Sequence, residues 1–238
     1  MTYTKPTHFK GVLIEGATAR FEESLKAKAN APQPTIVLPS NSDYIYVPEL
    51  GLELAKERKH FGLNWNKTHE VLQSEGLQMS TLKEFFTFIK YLQSNPTQEY
   101  QQILDGILKT RDSWQGEWLD AKFKEETSGV IKKTKKWYLE TDHKLINGKL
   151  QPQSRQDLES CISEDCYVDL NSINSQGLPT VKSNSQVYQQ NQNIYYWHPR
   201  EGRVAGFYAD SGRASLICDD GAEYSGASLG VRPSRKKI

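Results

Sequence analysis

The side chains able to do reactive chemistry are sparse in this chain. Three cysteines, Cys161, Cys166 and Cys218, include no Cys-x-x-Cys pair and leave an odd thiol. That number argues against a disulfide framework and makes a reducing compartment the default. Cys161 and Cys166 could join a histidine around a metal, but no second ligand pair follows at suitable spacing. The five histidines form no His-Glu-x-x-His motif, and no Ser-His-Asp set or phosphate-binding loop stands out. No cofactor, metal or catalytic residue is therefore expected. What remains is recognition chemistry near the C-terminus, where acidic, aromatic and small residues alternate.

The bulk composition suits a recognition role. Of the 238 residues, 37% are apolar and 25% charged, which describes a globular chain long enough to bury a core. Aromatics reach 11%, with 12 Tyr and 5 Trp, good material for a binding surface. The formal net charge of +1 gives no field for gathering nucleic acid or anionic membrane. Residues 1–6 lack the apolar stretch of a signal peptide, and no run approaches the ~20 apolar residues of a membrane span. A cytoplasmic or virion-associated location is the expectation.

The elements that must position these residues change character along the chain. Residues 10–15 and 35–39 read as short strands, with helix-favouring residues 17–29 between them. Residues 49–59 and 67–74 read as helices. A stronger helix starts at Ser80, taken as N-cap, with Leu82, Phe85, Phe86, Ile89 and Leu92 on one face; Asn95-Pro96 ends it. Tyr100, Ile103, Leu104 and Ile107 form one side of another helix over 99–108. From Trp114 the pattern turns to alternation, over 114–123 and 136–143, and Asn147-Gly148 is a hairpin turn signal. Residues 150–192, rich in Gln, Ser and Asn, read as loop-heavy connections. This is an α+β arrangement. A mostly helical part, 1–112, precedes a strand-and-loop part, 113–238; the former is either separate or integral to the scaffold.

The most informative stretch runs from Tyr195 to Arg232. Strand residues alternate faces, so choosing an inward set forces the outward one. Ala205, Phe207 and Ala209 take the inward face of one strand, leaving Gly206, Tyr208 and Asp210 outward. After a turn at Asp210–Arg213, Ala214, Leu216 and Cys218 point inward, and Ser215, Ile217 and Asp219 outward. A loop follows with Asp220, Gly221, Glu223, Tyr224 and Gly226, and Leu229–Arg232 reads as a closing strand.

This segment resembles the variable region of diversity-generating retroelement target proteins. The shared frame is Tyr195, Tyr196, Trp197, Pro199 and Arg200; Val204, Ala205, Phe207, Ala209 and Ser211; Ala214, Leu216 and Cys218; and Ser228 to Arg232. Residues 118–123 look similar to an upstream part of such proteins, more loosely. The resemblance implies a C-type-lectin-like fold of the formylglycine-generating-enzyme branch, with a twisted antiparallel sheet, long loops and additional N-terminal helices. It also implies a variable region over about 198–232, in which an error-prone reverse transcriptase rewrites asparagine codons of the AAY type.

On that scheme the diversified, ligand-contacting positions are Tyr208, Asp210, Gly212, Ser215, Ile217, Asp219, Gly221, Tyr224 and Gly226. Gly206, Asp220, Glu223, His198 and Glu201 belong to the set less firmly, and glutamate at 201 and 223 is not reachable from AAY. The implied ligand is macromolecular, a protein before anything else, met by an acidic surface with Tyr208, Ile217 and Tyr224 as anchors. The same fold branch raises two alternatives. One is an oxidase acting on cysteine, which needs reactive paired thiols. The other is carbohydrate binding; the Glu-Pro-Asn, Gln-Pro-Asp and Trp-Asn-Asp triplets of calcium-dependent lectins are missing, which leaves only a calcium-independent form.

Overall fold

The computed structural model describes residues 43–128 and 134–237. The strands expected at 10–15 and 35–39 and the helix at 17–29 lie outside the described residues. Asp43–Ile238 forms one compact unit, which contains the described helices before residue 113 as well as the strands after it. The class is mixed α+β.

In chain order the unit begins with β1 (Tyr44–Val47) and β2 (Leu52–Ala55). Then come α1 (Trp65–Ser74), β3 (Gln78–Met79), α2 (Leu82–Ser94) and α3 (Gln98–Leu108). The remainder is strands: β4 (Gln115–Ser128), β5 (Thr134–Ile146), β6 (Lys149–Asp157), β7 (Cys166–Asp169) and β8 (Asn193–Trp197), then β9 (Val204–Ala209), β10 (Ala214–Asp220), β11 (Leu229–Val231) and β12 (Pro233–Lys236). The larger sheet has the order β6-β5-β4-β9-β10-β8-β7, with β11 also paired to β4; the smaller is β1-β2-β12-β3. Most pairs are antiparallel, but β10–β8 and β11–β4 are parallel.

Several local expectations meet different outcomes. The helix expected over 49–59 is instead the turn and second strand of a hairpin. Gly51, at φ +65°, turns the chain back, and Ile45, Val47, Leu54 and Ala55 are buried. The N-cap of α2 is Thr81 and not Ser80: its hydroxyl accepts from Glu84 N–H, and the Glu84 carboxylate accepts from Thr81 N–H in return. Ser80 is buried instead, its hydroxyl donating to the Arg232 carbonyl. The stretch 150–192 contains β6 and β7 among its loops. At the β5–β6 hairpin Asn147 and Gly148 both take positive φ, 51° and 72°, as a type I′ turn demands.

The principal core lies between the larger sheet and α2–α3. Phe85 and Phe86 of α2 meet Phe207 of β9 at ring-centroid distances of 5.0 and 6.4 Å. Leu119, Ala121, Ala205, Ala209, Ala214, Leu216 and Cys218 belong to the same core, all buried. A second core joins Trp65, Leu72, Met79, Trp118, Val204, Leu229 and Val231.

Arg232 ties the sheets together. It is 3% exposed; its Nε donates to Glu117 Oε2 at 3.1 Å, and its Nη1 to the carbonyls of Ala55, at 2.8 Å, and Lys56. Arg232→Met leaves the Glu117 carboxylate buried without a partner and is expected to cost about 3–5 kcal/mol in urea unfolding. Adding Glu117→Leu recovers part of that loss, less than all because two carbonyls still lack a donor. A single-variant cost under about 1 kcal/mol would show that the pair does not hold the sheets.

Candidate functional site

The face of β9 and β10 turned away from α2–α3 is the surface to build. Register sets its members. Tyr208 pairs with Ser215 and with Gly116, Gly206 with Ile217 and Trp118, Ser215 with Tyr195, and Ile217 with Trp197. Directly opposed residues share a face, so these side chains lie on one side of the sheet. Tyr167 of β7 extends the row, opposite Tyr195.

Two aromatic groups flank Ile217. On one side Tyr195 meets Tyr167 and Trp197 edge-on at 5.1 and 5.4 Å, and Arg213 lies 3.8 Å above the Tyr195 ring. On the other side Tyr208 meets Trp114 at 5.8 Å. All of these aromatics are half-buried.

Chain direction decides where the loop after β10 goes. Because β4 and β10 both oppose β9, they run the same way, and β11 runs parallel to β4. The chain leaving Asp220 must travel back along the sheet before β11 can begin beside Gly116. It does so on the same face: Tyr224 packs edge-on to Trp118 at 6.4 Å, and a Cβ at Gly226 would lie 2.8 Å from Trp114. Tyr224 is 45% exposed at the crest of this crossing. Glu223 accepts from Asn64 Nδ2 at 3.0 Å and Asn66 Nδ2 at 2.7 Å, which fastens the loop to the start of α1.

The expected positions separate by environment. Tyr208, Ile217, Asp219, Asp220, Gly221, Tyr224 and Gly226 reach the surface of this face or its loop, while Asp210 is exposed at the β9–β10 turn, as is Gly212. Gly206 and Ser215 face the expected side but are buried, a correction to the outward exposure expected of them. The Tyr208 ring covers Gly206, where a Cβ would lie 2.7 Å from Cε2, and Ser215 is hemmed between Tyr195 and Tyr208 on the neighbouring strands.

His198 and Glu201 sit near the β8–β9 connection and are held locally. Asp165 Oδ1 accepts from His198 Nδ1 at 2.6 Å and Oδ2 from Arg200 at 3.0 Å. Burial pushes the Asp165 carboxyl up, but the His198 hydrogen bonds and the Arg200 charge outweigh it and hold it below its usual value. Glu201 accepts the backbone N–H of Glu125. Neither residue joins the Tyr208–Ile217 surface by any of these contacts.

Tyr208 rests in a slot made by two glycines. A Cβ at Gly116 or Gly206 would come within 2.7 Å of its ring. Its hydroxyl donates to Asp220 Oδ2 at 2.5 Å. A register shift between Ile217 and Asp220 breaks the simple alternation of β10 and delivers that carboxylate to the tyrosine's side. Burial raises the Asp220 carboxyl above its ordinary 3.8, and the Tyr208 hydrogen bond opposes that rise. Burial likewise lifts Asp219. Asp210 also closes the β9–β10 turn, where its Oδ1 accepts from Gly212 N–H at 2.7 Å and Arg213 N–H at 3.0 Å.

None of Gly206, Gly212, Gly221 or Gly226 has positive φ. Their backbone therefore admits any L-residue, and only space discriminates among them. At Gly212 and Gly221 a Cβ meets nothing nearer than 3.4 Å.

A second cluster has no sequence motif because its members are far apart in the chain. His69 of α1, Asp120 of β4 and His143 of β5 converge in the interior, all buried. His143 Nδ1 lies 2.5 Å from Asp120 Oδ1, and its backbone N–H donates to Oδ2 at 3.0 Å. Only the approach of α1 to the sheet could reveal this group; the sequence carries no ligand spacing for it.

No family model, curated protein or solved structure matches the chain. Among the described residues, no helix is long and apolar enough to cross a membrane.

Two measurements test the slot. Gly212→Ser should change stability by less than about 0.5 kcal/mol, whereas Gly206→Val, which must displace the Tyr208 ring, should cost about 1–3 kcal/mol. In an NMR titration Asp220 should have its midpoint above 3.8, and Tyr208→Phe should move it higher still. With the folded value above the unfolded one, ionised Asp220 opposes folding at neutral pH, and that penalty fades as pH falls through the raised midpoint. A midpoint unchanged by Tyr208→Phe would show that the hydrogen bond does not hold the carboxylate.

Proposed function

We propose that this protein is a hypervariable ligand-binding protein diversified by a retroelement, carrying its variable side chains on a C-type-lectin-type scaffold. The observation that carries the reading is the partition of β9 and β10. The inward frame residues Ala205, Phe207, Ala209, Ala214, Leu216 and Cys218 are all buried in the principal core, while Tyr208, Ile217, Asp219, Asp220 and Tyr224 collect on one face and its crossing loop. Such a surface can change its side chains without opening cavities in the principal core.

The ligand class follows from the chemistry of this variant. Tyr208, Tyr224 and the flanking Tyr195, Trp197 and Trp114 offer large, rigid contact area at low entropy cost. Asp210, Asp219, Asp220 and Glu223 add negative charge. A protein partner with a basic, partly apolar patch is the best complement. An oxidase reading finds less support, because Cys218 is fully enclosed and burial pushes its thiol well above the usual value, which leaves little thiolate for chemistry.

The test is genomic. The coding end for residues 198–232 should be sequenced from many individuals, together with flanking DNA. Substitutions should fall at adenine-templated codons, concentrated at 208, 210, 212, 217, 219, 221 and 224, with a near-copy and a reverse-transcriptase gene nearby. Position 206 should stay small wherever 208 is aromatic, because the ring occupies the space of its side chain. Variation spread evenly over Ala205, Phe207, Leu216 and Cys218 as well would sink the reading.

A further inference from the structure

The interior cluster of His69, Asp120 and His143 is not used by the binding face, and its polar atoms are incompletely satisfied. The side chains of His69 and Asp120 are each 4% exposed, and that of His143 is 3%. The Nε2 atoms of both imidazoles are buried and have no hydrogen-bond partner. A buried polar atom left so is destabilising, and the two belong to rings only 5.6 Å apart between centroids.

One ligand atom from each of His69, Asp120 and His143 lies within 4.8 Å of the other two. Asp120 accepts from both the backbone N–H and the Nδ1 of His143. The Nδ1 proton is thereby fixed, and the lone pair falls on Nε2. The carboxylate can do this because Asp120 alternates with Leu119 and Ala121, which face the principal core, and so stands on the Trp118 side of β4 beside Trp65. On β5, Asp142 takes a left-handed φ of 56° immediately before His143. His69 Nε2 lies 3.6 Å from Asp120 Oδ1. Its Nε2 is likewise buried without a hydrogen-bond partner, which leaves that nitrogen available as a ligand atom. Trp65 closes one side, its ring 4.3 Å from His69 and 4.8 Å from His143.

A cavity of about 480 Å³ opens beside the three residues, lined also by Asp142, Gln78 and Gln153. It offers a path in and room for further oxygen ligands.

We propose that His69, Asp120 and His143 form a binding site for a single divalent transition-metal ion of the zinc type. Imidazole nitrogens suit zinc and its neighbours over calcium or magnesium, which take all-oxygen sets. The imidazole Nε2 atoms are the ligands, Asp120 orients His143 and supplies the negative charge, and the cavity side leaves coordination positions for water or a small oxygen-bearing ligand. The site stands independently of the binding face, and failure of either leaves the other intact.

The experiment uses the full chain, stripped with chelator and then dialysed against zinc or cobalt(II). Elemental analysis should find about one ion retained per chain, and zinc should raise the melting temperature. The cobalt(II) form should show visible d–d bands without the near-ultraviolet charge-transfer band of a thiolate ligand, since Cys161, Cys166 and Cys218 lie outside the site. His69→Gln and His143→Gln should each abolish stoichiometric retention, and Asp120→Asn should weaken zinc binding about 10–100-fold. Should those variants fail to fold, X-ray absorption of the zinc-loaded wild type decides: a nitrogen and oxygen shell with imidazole scattering is expected, and sulfur in the shell overturns the site. Absence of retained metal in the wild type, or retention that survives His69→Gln with His143→Gln in a folded protein, overturns it equally.

Discussion

The buried pair of Arg232 and Glu117 is the joint on which the arrangement depends. Glu117 projects from β4, the strand that pairs with β5, β9 and β11. Arg232 stands between β11 and β12 and also clamps the Ala55 and Lys56 carbonyls at the end of β2. Two buried charges of opposite sign are tolerable only with such complete hydrogen bonding, and their geometry admits little slippage. The C-terminal strands are thereby locked to the first strands of the unit. The loop from Asp220 to Leu229 must then cross the β4–β9 surface, bringing Tyr224 to Trp118 and Gly226 to Trp114.

From that constraint the two faces of the larger sheet acquire different mechanical characters. One is filled by Phe85, Phe86, Phe207 and the small residues around them, where a change in volume is felt at once. The other is filled over β4 by Trp65 and Trp118 but opens over β10 and β8. Side chains there rest on the sheet without being enclosed. The Tyr208 ring marks the transition, set against Gly116 and Gly206 with its hydroxyl reaching Asp220. It is held against the sheet and is still half-buried at the edge of the open surface.

Strand geometry places the polar chemistry in two ways. Asp120 keeps its alternating place between Leu119 and Ala121, and regular geometry aims it at His143. The shift in β10 carries Asp220 to Tyr208, although strict alternation from Ile217 would turn it to the other face. Irregularities of this kind are the usual means by which a sheet aims one side chain without disturbing its neighbours.

Much of this is legible from residue order alone. The alternation of Ala205 through Cys218 identifies the buried face of β9 and β10, the apolar stripe from Leu82 to Leu92 identifies α2, and Asn147-Gly148 identifies a hairpin, because each signal is local and its period is set by backbone geometry. The stretch at 49–59 misleads because helix-favouring residues there yield to pairing with β12, a partner from the far end of the chain. Burial of Gly206 and Ser215 is invisible in the sequence because it depends on rings across strand boundaries. The meeting of His69, Asp120 and His143 is equally hidden, since three elements distant in sequence create it. Sequence by itself determined which residues of each strand share a side; only the tertiary structure decided which sides are roofed and which polar atoms meet, because those depend on packing between segments that no local period records.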